Sequence, residues 1–216
     1  MAGYVGNKAA TLPLQLLGLE VDPLNTVHFS THAGYGQLRG DATTAAQYET
    51  LIEGLKINKV FRYDYVLSGY VRSQALLESI AKTVTELRQS GPVSYYLDPV
   101  LGDDGKFYVP EELVSVYKET MLPLATVITP NTFEAQKLSG VTITTEADAV
   151  KATQVLHALG PRIVVITSMN VPTARGEEDA DVISVLASAM PSGATDPKEA
   201  TVFRVYMPKQ SGRQVH

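Results

Sequence analysis

Short apolar runs that break off at polar residues alternate along this chain with helical stretches, and few folds accept that order. Runs rich in β-branched and aromatic residues occupy positions 26–30, 65–67, 93–98, 125–128 and 162–166. Helical spacing of apolar residues covers 45–55, 73–89, 110–121 and 147–159, with Pro110 opening the third of these. Strands separated by helices of this kind read as βαβ units around a mostly parallel sheet, so the expected class is α/β. A helix is also predicted over 9–17, kinked at Pro13 and closed by Gly18. In the helix over 45–55, Leu51, Ile52 and Leu55 are expected to face inward. Residues 31–43 read as a glycine-bearing loop, and 175–181 as a charged one. Two antiparallel strands are expected at 182–186 and 201–206, either side of a polar turn at 191–198. No repeat or linker interrupts the 216 residues, so a single domain over 1–216 is expected.

Composition narrows the function classes. A net charge of −5 gives no electrostatic reason to bind nucleic acid or an anionic membrane. The absence of cysteine excludes disulfides, thiolate metal sites and a cysteine nucleophile. The longest apolar runs are too short to cross a bilayer and no secretory signal is visible, so a soluble, cytoplasmic protein is expected.

The chemistry gathers where strands end. Asp98 closes the run at 93–98, Pro99 cannot continue sheet pairing, and Gly102 is read as a tight turn presenting Asp103. Thr129, Asn131 and Glu134 follow the next strand, and Thr167 and Ser168 terminate the one after it. Parallel strands place their carboxyl ends on one edge, where open α/β sheets hold ligands. Carboxylates and hydroxyls together suit Mg²⁺ with phosphate, and Asp98, Thr129 and Thr167 oxygens suit K⁺ or Na⁺. The run Asn131 to Glu134 is equally an N-capping box that needs no ligand. His28 and His32 straddle a strand end, but a metal pair there is not expected. Neither a Walker motif nor Gly-x-Gly-x-x-Gly is present.

Seven colinear segments together resemble the pyridoxal kinase family of the ribokinase-like superfamily. They are Gly3-Tyr4-Val5-Gly6-Asn7, residues 25–35, residues 63–70, Asp98-Pro99-Val100-Leu101-Gly102-Asp103, Tyr108-Val109-Pro110-Glu111, Thr129-Pro130-Asn131-Thr132-Phe133-Glu134 and Val165-Ile166-Thr167-Ser168. The resemblance implies a ribokinase-like three-layer αβα fold, incomplete in this chain. It also implies ATP-dependent phosphorylation of the 5′-hydroxyl of pyridoxal, pyridoxine or pyridoxamine, with Mg²⁺ (or Zn²⁺) and a monovalent K⁺ or Na⁺, in a homodimer. Asp103 and Glu134 would serve the divalent ion, and Asp98, Thr129 and Thr167 the monovalent one. Asn131, Thr167 and Ser168 would face the ATP phosphates beside Asp98. Tyr108 would lie on a flap near those phosphates, and Val5 and Tyr70 would line the pyridoxal pocket.

Three departures accompany the resemblance. The family's first strand, which ends in a ring-contacting serine, has no counterpart before Gly3, so the loss of a central strand is expected. Ala33 replaces a threonine common in the family. The Gly-Thr-Gly-Asp sequence that carries the family's catalytic base does not occur, and His216 is no substitute, so no catalytic residue is assigned. Weak or absent turnover by this chain is expected. The alternatives are a non-catalytic shortened form that binds nucleotide or vitamer or serves as a dimerisation partner, and a hydroxymethylpyrimidine kinase.

Overall fold

A computed structural model describes residues 2–32, 37–169 and 182–208. The expectations for Ala33, for the loop at 175–181 and for His216 lie outside the described residues. In chain order the elements are α1 (Asn7–Leu16), β1 (Val27–Phe29), β2 (Gly40–Ala42), α2 (Ala45–Ile57), β3 (Tyr65–Ser68), α3 (Gln74–Ser90) and β4 (Ser94–Leu97). They continue with β5 (Gly102–Asp103), β6 (Lys106–Phe107), α4 (Leu113–Val116), a π turn (Tyr117–Met121), a 3₁₀ turn (Leu122–Leu124) and β7 (Val127–Ile128). After these come α5 (Thr132–Ser139), α6 (Glu146–Ala158), β8 (Ile163–Met169), β9 (Val182–Ala189), a 3₁₀ turn (Pro197–Glu199) and β10 (Thr201–Pro208).

The main sheet has the order β10-β9-β8-β7-β4-β3, parallel from β3 through β8 and antiparallel at β9 and β10. The α/β class and mostly parallel sheet read from the alternation are therefore present. All neighbours in this order are hydrogen-bonded, and among the described residues β3 forms one edge of the sheet.

Register explains which face is covered. Val66, Tyr95, Leu97, Ile128, Val164, Ile166 and Leu186 share one face, since they align across paired strands. Most are fully buried and join one core with Leu76, Leu77, Ile80 and Val84 of α3 and with Leu138 and Leu156 of α5 and α6. The opposite face carries Tyr65, Leu67, Tyr96, Ile163, Phe203 and Val205, all exposed. Helices thus cover one side of the sheet in the described residues.

Helix boundaries follow local chemistry. Ser73 caps α3 by accepting from the Leu76 amide, and its apolar residues recur three and four apart. Thr145 and Asp148 form a reciprocal capping box on α6. Pro110 does not open a helix as expected, because residues 111–112 turn first and α4 starts at Leu113. Leu51 is 54% exposed, contrary to expectation, while Tyr48 and Ile52 form the buried face of α2. Only a narrow stripe of that helix meets the core. The supposed loop at 31–43 contains β2, which pairs antiparallel with β1.

His157 on α6 lies buried between two anchors. Its Nδ1 is 2.8 Å from the Pro161 carbonyl and its Nε2 is 2.8 Å from Ser188 Oγ of β9. The carbonyl requires a proton on Nδ1, which leaves Nε2 to accept from the serine in the neutral ring. Burial lowers the His157 pKa, the Pro161 bond opposes this, and Arg162 adds to the lowering. A depressed folded-state pKa means that stability is full above the ordinary histidine value of 6.5 and falls as pH drops below it. Thermal unfolding between pH 8 and pH 5 should show that loss, and His157→Gln should flatten the acid limb. An unchanged limb in the variant would exclude His157 as its source.

Candidate active site

The carboxyl ends of β4, β7 and β8 meet at one edge. The amide of Asp98 donates to the Ser68 carbonyl of β3 (2.8 Å), and that of Thr129 to Leu97 of β4 (3.1 Å). The amide of Thr167 donates to Pro130 (3.0 Å), and the Thr132 hydroxyl donates to the Ser168 carbonyl. These bonds draw Asp98, Thr129, Asn131, Glu134, Thr167 and Ser168 together, as the strand order predicted. Thr167 and Ser168 do not terminate a strand, however. β8 runs on to Met169 through an irregularity after Ile166, supported by antiparallel pairing with β9. Both residues are exposed at this edge.

Glu134 is the most heavily bonded side chain of the group. One carboxylate oxygen accepts from the Asn131 amide (2.8 Å), and the other from the amides of Leu101 (2.9 Å) and Gly102 (3.4 Å). Asn131 answers by accepting from the Glu134 amide (2.9 Å) and donating Nδ2 to the Gly102 carbonyl (2.7 Å). The capping box is real, and it also clamps the segment after β4 to the start of α5. Burial pushes the Glu134 carboxyl up to about 7; the three amides pull it down, and the charge of Asp98 adds to the rise.

Asp98 is its opposite. Asp98 is half-buried and no donor among the described residues is bonded to its carboxyl, and desolvation pushes it up to about 6. A partly desolvated carboxylate without a bonded donor is suited to a cation. Among the described residues no three His, Cys, Asp or Glu side chains form a metal-holding group. The donor set therefore fits a hard cation completed by water and phosphate rather than an all-protein cage.

Asp103 and Tyr108 belong to a hairpin clamped over this edge. Gly102 is not the turn: it sits in β5 opposite Phe107, and a Cβ there would lie 2.0 Å from the Lys106 carbonyl oxygen. The turn is Asp104-Gly105, with φ of 48° and 77°, the left-handed pair that a two-residue hairpin loop requires. Asp103 is exposed, and one of its oxygens accepts from the Asp104 amide (2.9 Å). Burial, with the charges of Asp103, Asp104 and Glu134, raises the Tyr108 pKa. Phe107 packs edge-on against Phe133 of α5 at 5.1 Å, and Lys137 covers both rings.

Tyr70 follows β3 on the same edge. Its carbonyl accepts from Thr26 Oγ1 (2.6 Å), while its own hydroxyl is buried and unpaired, as is Thr31 Oγ1. Val5 is half-buried ahead of α1, which Asn7 ties to Leu24 and Asn25. Sequence reasoning did not single out Thr31 or Tyr117. Tyr117 is fully buried and its hydroxyl is unpaired too, but in sequence it reads as an ordinary inward helix residue.

A parallel sheet carrying a donor-free carboxylate and a capped helix at one edge, beneath a clamped hairpin, defines a ribokinase-like α/β domain. A family described as phosphomethylpyrimidine kinase matches residues 41–192. The chain is 51% identical to a pyridoxal kinase of Arabidopsis thaliana over 170 residues, 78% of this chain and 55% of that protein. It is 45% identical to the Homo sapiens pyridoxal kinase over 197 residues, 89% of this chain and 63% of that protein. The solved pyridoxal kinase of Leishmania donovani in complex with ADP and pyridoxamine superposes with a TM-score of 0.87 at 37% identity, covering 100% of this chain and 74% of that one. The chain belongs to the pyridoxal kinase family. It spans 55–63% of the length of these two curated relatives.

Proposed function

We propose that the protein transfers the γ-phosphoryl group of ATP to the 5′-hydroxymethyl group of pyridoxal, pyridoxine or pyridoxamine. The observation that carries this reading is the half-buried Asp98 carboxylate, without a bonded donor among the described residues, at the strand edge that also holds Thr129, Thr167 and the N-terminus of α5. The Leishmania donovani relative, solved with ADP and pyridoxamine, supports both ligand classes. In this assignment Asp98, Thr129 and Thr167 hold K⁺ or Na⁺. Asp103 and Glu134 serve Mg²⁺ (or Zn²⁺), Glu134 through water because its oxygens already accept three amides. A bound divalent ion supplies neutralisation of the charge spread over the transferring phosphoryl oxygens.

Asn131, Thr167 and Ser168 face the phosphates, and Tyr108 closes over them from the hairpin. Val5 and Tyr70 line the vitamer pocket, where the unpaired Tyr70 hydroxyl, with that of Thr31, offers hydrogen bonds to a small polar ring. The proton-accepting carboxylate is assigned to none of these 216 residues, since Gly-Thr-Gly-Asp does not occur among them. The reading includes a homodimer in the cytoplasm; among the described residues no helix is long and apolar enough to cross a membrane. A second reading is a non-catalytic form that keeps nucleotide or vitamer binding or a dimerising role.

Calorimetric titration separates these readings. Mg²⁺–ADP and pyridoxamine should each bind saturably, and Asp98→Asn should weaken the nucleotide about tenfold. Phosphate transfer should be faster to pyridoxal than to hydroxymethylpyrimidine. Saturable binding without transfer would favour the second reading, preference for the pyrimidine would overturn the substrate, and no binding of either ligand would overturn the site.

A further inference from the structure

The strands that end at the acidic edge begin at a second cleft, on the opposite edge of the sheet. This open cleft has a volume of about 730 Å³, within the range of small-molecule sites, and is lined in part by Asp64, Tyr65, Arg88, Ser94 and Thr126. Ser94 opens β4 four residues before Asp98, so along the strand the cleft lies about 13 Å from the acidic edge. Arg88, in the last turn of α3, is held there by neutral acceptors alone. Its Nε donates to the Val93 carbonyl (3.3 Å), and its Nη2 to the Leu124 carbonyl (2.7 Å) and Thr126 Oγ1 (3.4 Å). Among the described residues no carboxylate lies within 4.0 Å of the guanidinium, and Nη1 has no acceptor. Thr126 Oγ1 also accepts from the Tyr95 amide (3.1 Å). With both lone pairs taken, its own proton is left to donate. The Ser94 hydroxyl likewise has no partner among the described residues.

We infer that this cleft is a second ligand site, which takes the carboxylate of a small metabolite on Arg88, Thr126 and Ser94. The Nη1 protons and the two hydroxyl protons are donors without acceptors, beside a positive charge that no protein carboxylate pairs, and an oxyanion answers both. The bonds to Val93, Leu124 and Thr126 already fix the guanidinium, so ordering it on binding costs little entropy. Asp64 decides between oxyanions. It lines the same cleft without pairing with Arg88, and it repels a doubly charged phosphate more than a singly charged carboxylate. Its own oxygens accept from a hydroxyl or ammonium at the far end of the ligand, and the exposed Tyr65 ring offers apolar contact between the two. The site is independent of the function proposed above, whose groups stand at the other ends of these strands.

Acetate and inorganic phosphate are the probes, followed through the amide chemical shifts of the 216-residue chain. Acetate should move the amides of Val93, Ser94 and Thr126 saturably, in the millimolar range for so small an anion. Phosphate should bind there about threefold more weakly, and Asp64→Asn, a change at an exposed side chain, should tighten it about fivefold. Arg88→Gln should weaken acetate about tenfold. That variant also loses bonds that join α3 to β4 and β7, so Ser94→Ala keeps the test open if it does not fold. Ser94→Ala breaks no bond among the described residues and should weaken acetate about threefold. No saturable shift at the three amides would overturn the site, as would acetate affinity unchanged in a folded Arg88→Gln or in Ser94→Ala. Phosphate binding more tightly than acetate, or indifference of phosphate to Asp64→Asn, would overturn the choice of a carboxylate.

Discussion

Glu134→Ala should lower the stability of this protein by about 3–4 kcal/mol, the largest loss expected from any polar substitution in it. The truncation strips partners from the amides of Asn131, Leu101 and Gly102 together. A buried donor left without an acceptor costs about 1–3 kcal/mol, and water can reach some of these amides once the side chain is gone. The reciprocal cap of α5 also goes, although Asn131 Oδ1 still accepts the residue-134 amide. For a chain of this length, such a loss lowers the melting temperature by about 10 °C. Glu134→Gln should fall between wild type and Ala. One amide oxygen can still accept, but the NH₂ group then faces a backbone N–H. If Gln destabilises as much as Ala, shape rather than acceptor capacity holds the site; if Ala destabilises by under about 1 kcal/mol, the clamp is not what joins β4 to α5.

The clamp shows how far the sequence alone reached. Asn-x-x-Glu before an apolar run announces a capping box, and that much was legible from local spacing. The two amides from residues 101 and 102 were not, because they arrive from a segment more than thirty residues away and only the parallel pairing of β4 with β7 brings them there. Thr167 and Ser168 looked like a strand end for a similar reason. Their polarity breaks the apolar run, but β9 lies antiparallel alongside and carries the ladder past them. The β5–β6 hairpin was missed because each strand is two residues long, although Asp104-Gly105 is itself a strong hairpin signal. Leu51 shows the limit of periodicity: helical spacing identifies a face, and only tertiary packing sets its width.

The distribution of charge at the edge was also only partly legible. Two acids after one strand read as a candidate cation site, with Asp103 the stronger candidate for the divalent ion. Their environments differ more than their spacing suggests. Asp103 is exposed on the hairpin with a local amide already bonded, whereas Asp98 is desolvated and unbonded. Desolvation without compensation is unfavourable for a carboxylate on its own and favourable once a cation is present. The pair therefore divides into an exposed acid on the hairpin and a half-buried one at the strand edge.

Gly102→Ala should reduce nucleotide binding and phosphate transfer far more than it reduces stability. A Cβ at this position would stand 2.0 Å from the Lys106 carbonyl oxygen and 2.9 Å from Phe107 Cα, both backbone atoms on the facing strand. No rotamer change relieves such an overlap, so the hairpin must open or shift register. Overpacking of this kind costs about 1–3 kcal/mol. Displacement of the strand that carries Asp103 and leads to Tyr108 by about 1 Å is worth on the order of a hundredfold in rate. Gly105→Ala supplies the comparison. Its φ of 77° strains any other residue, but its Cβ would meet nothing within 4 Å, so the penalty is about 1–2 kcal/mol of backbone strain with the register intact. Hydrogen exchange at the Tyr108 amide, which donates to the Leu101 carbonyl at 2.8 Å, reads the difference directly. Exchange should accelerate strongly in Gly102→Ala and only modestly in Gly105→Ala. Equal protection in both would mean that the close approach of β5 to β6 is not what holds the hairpin over the acidic edge.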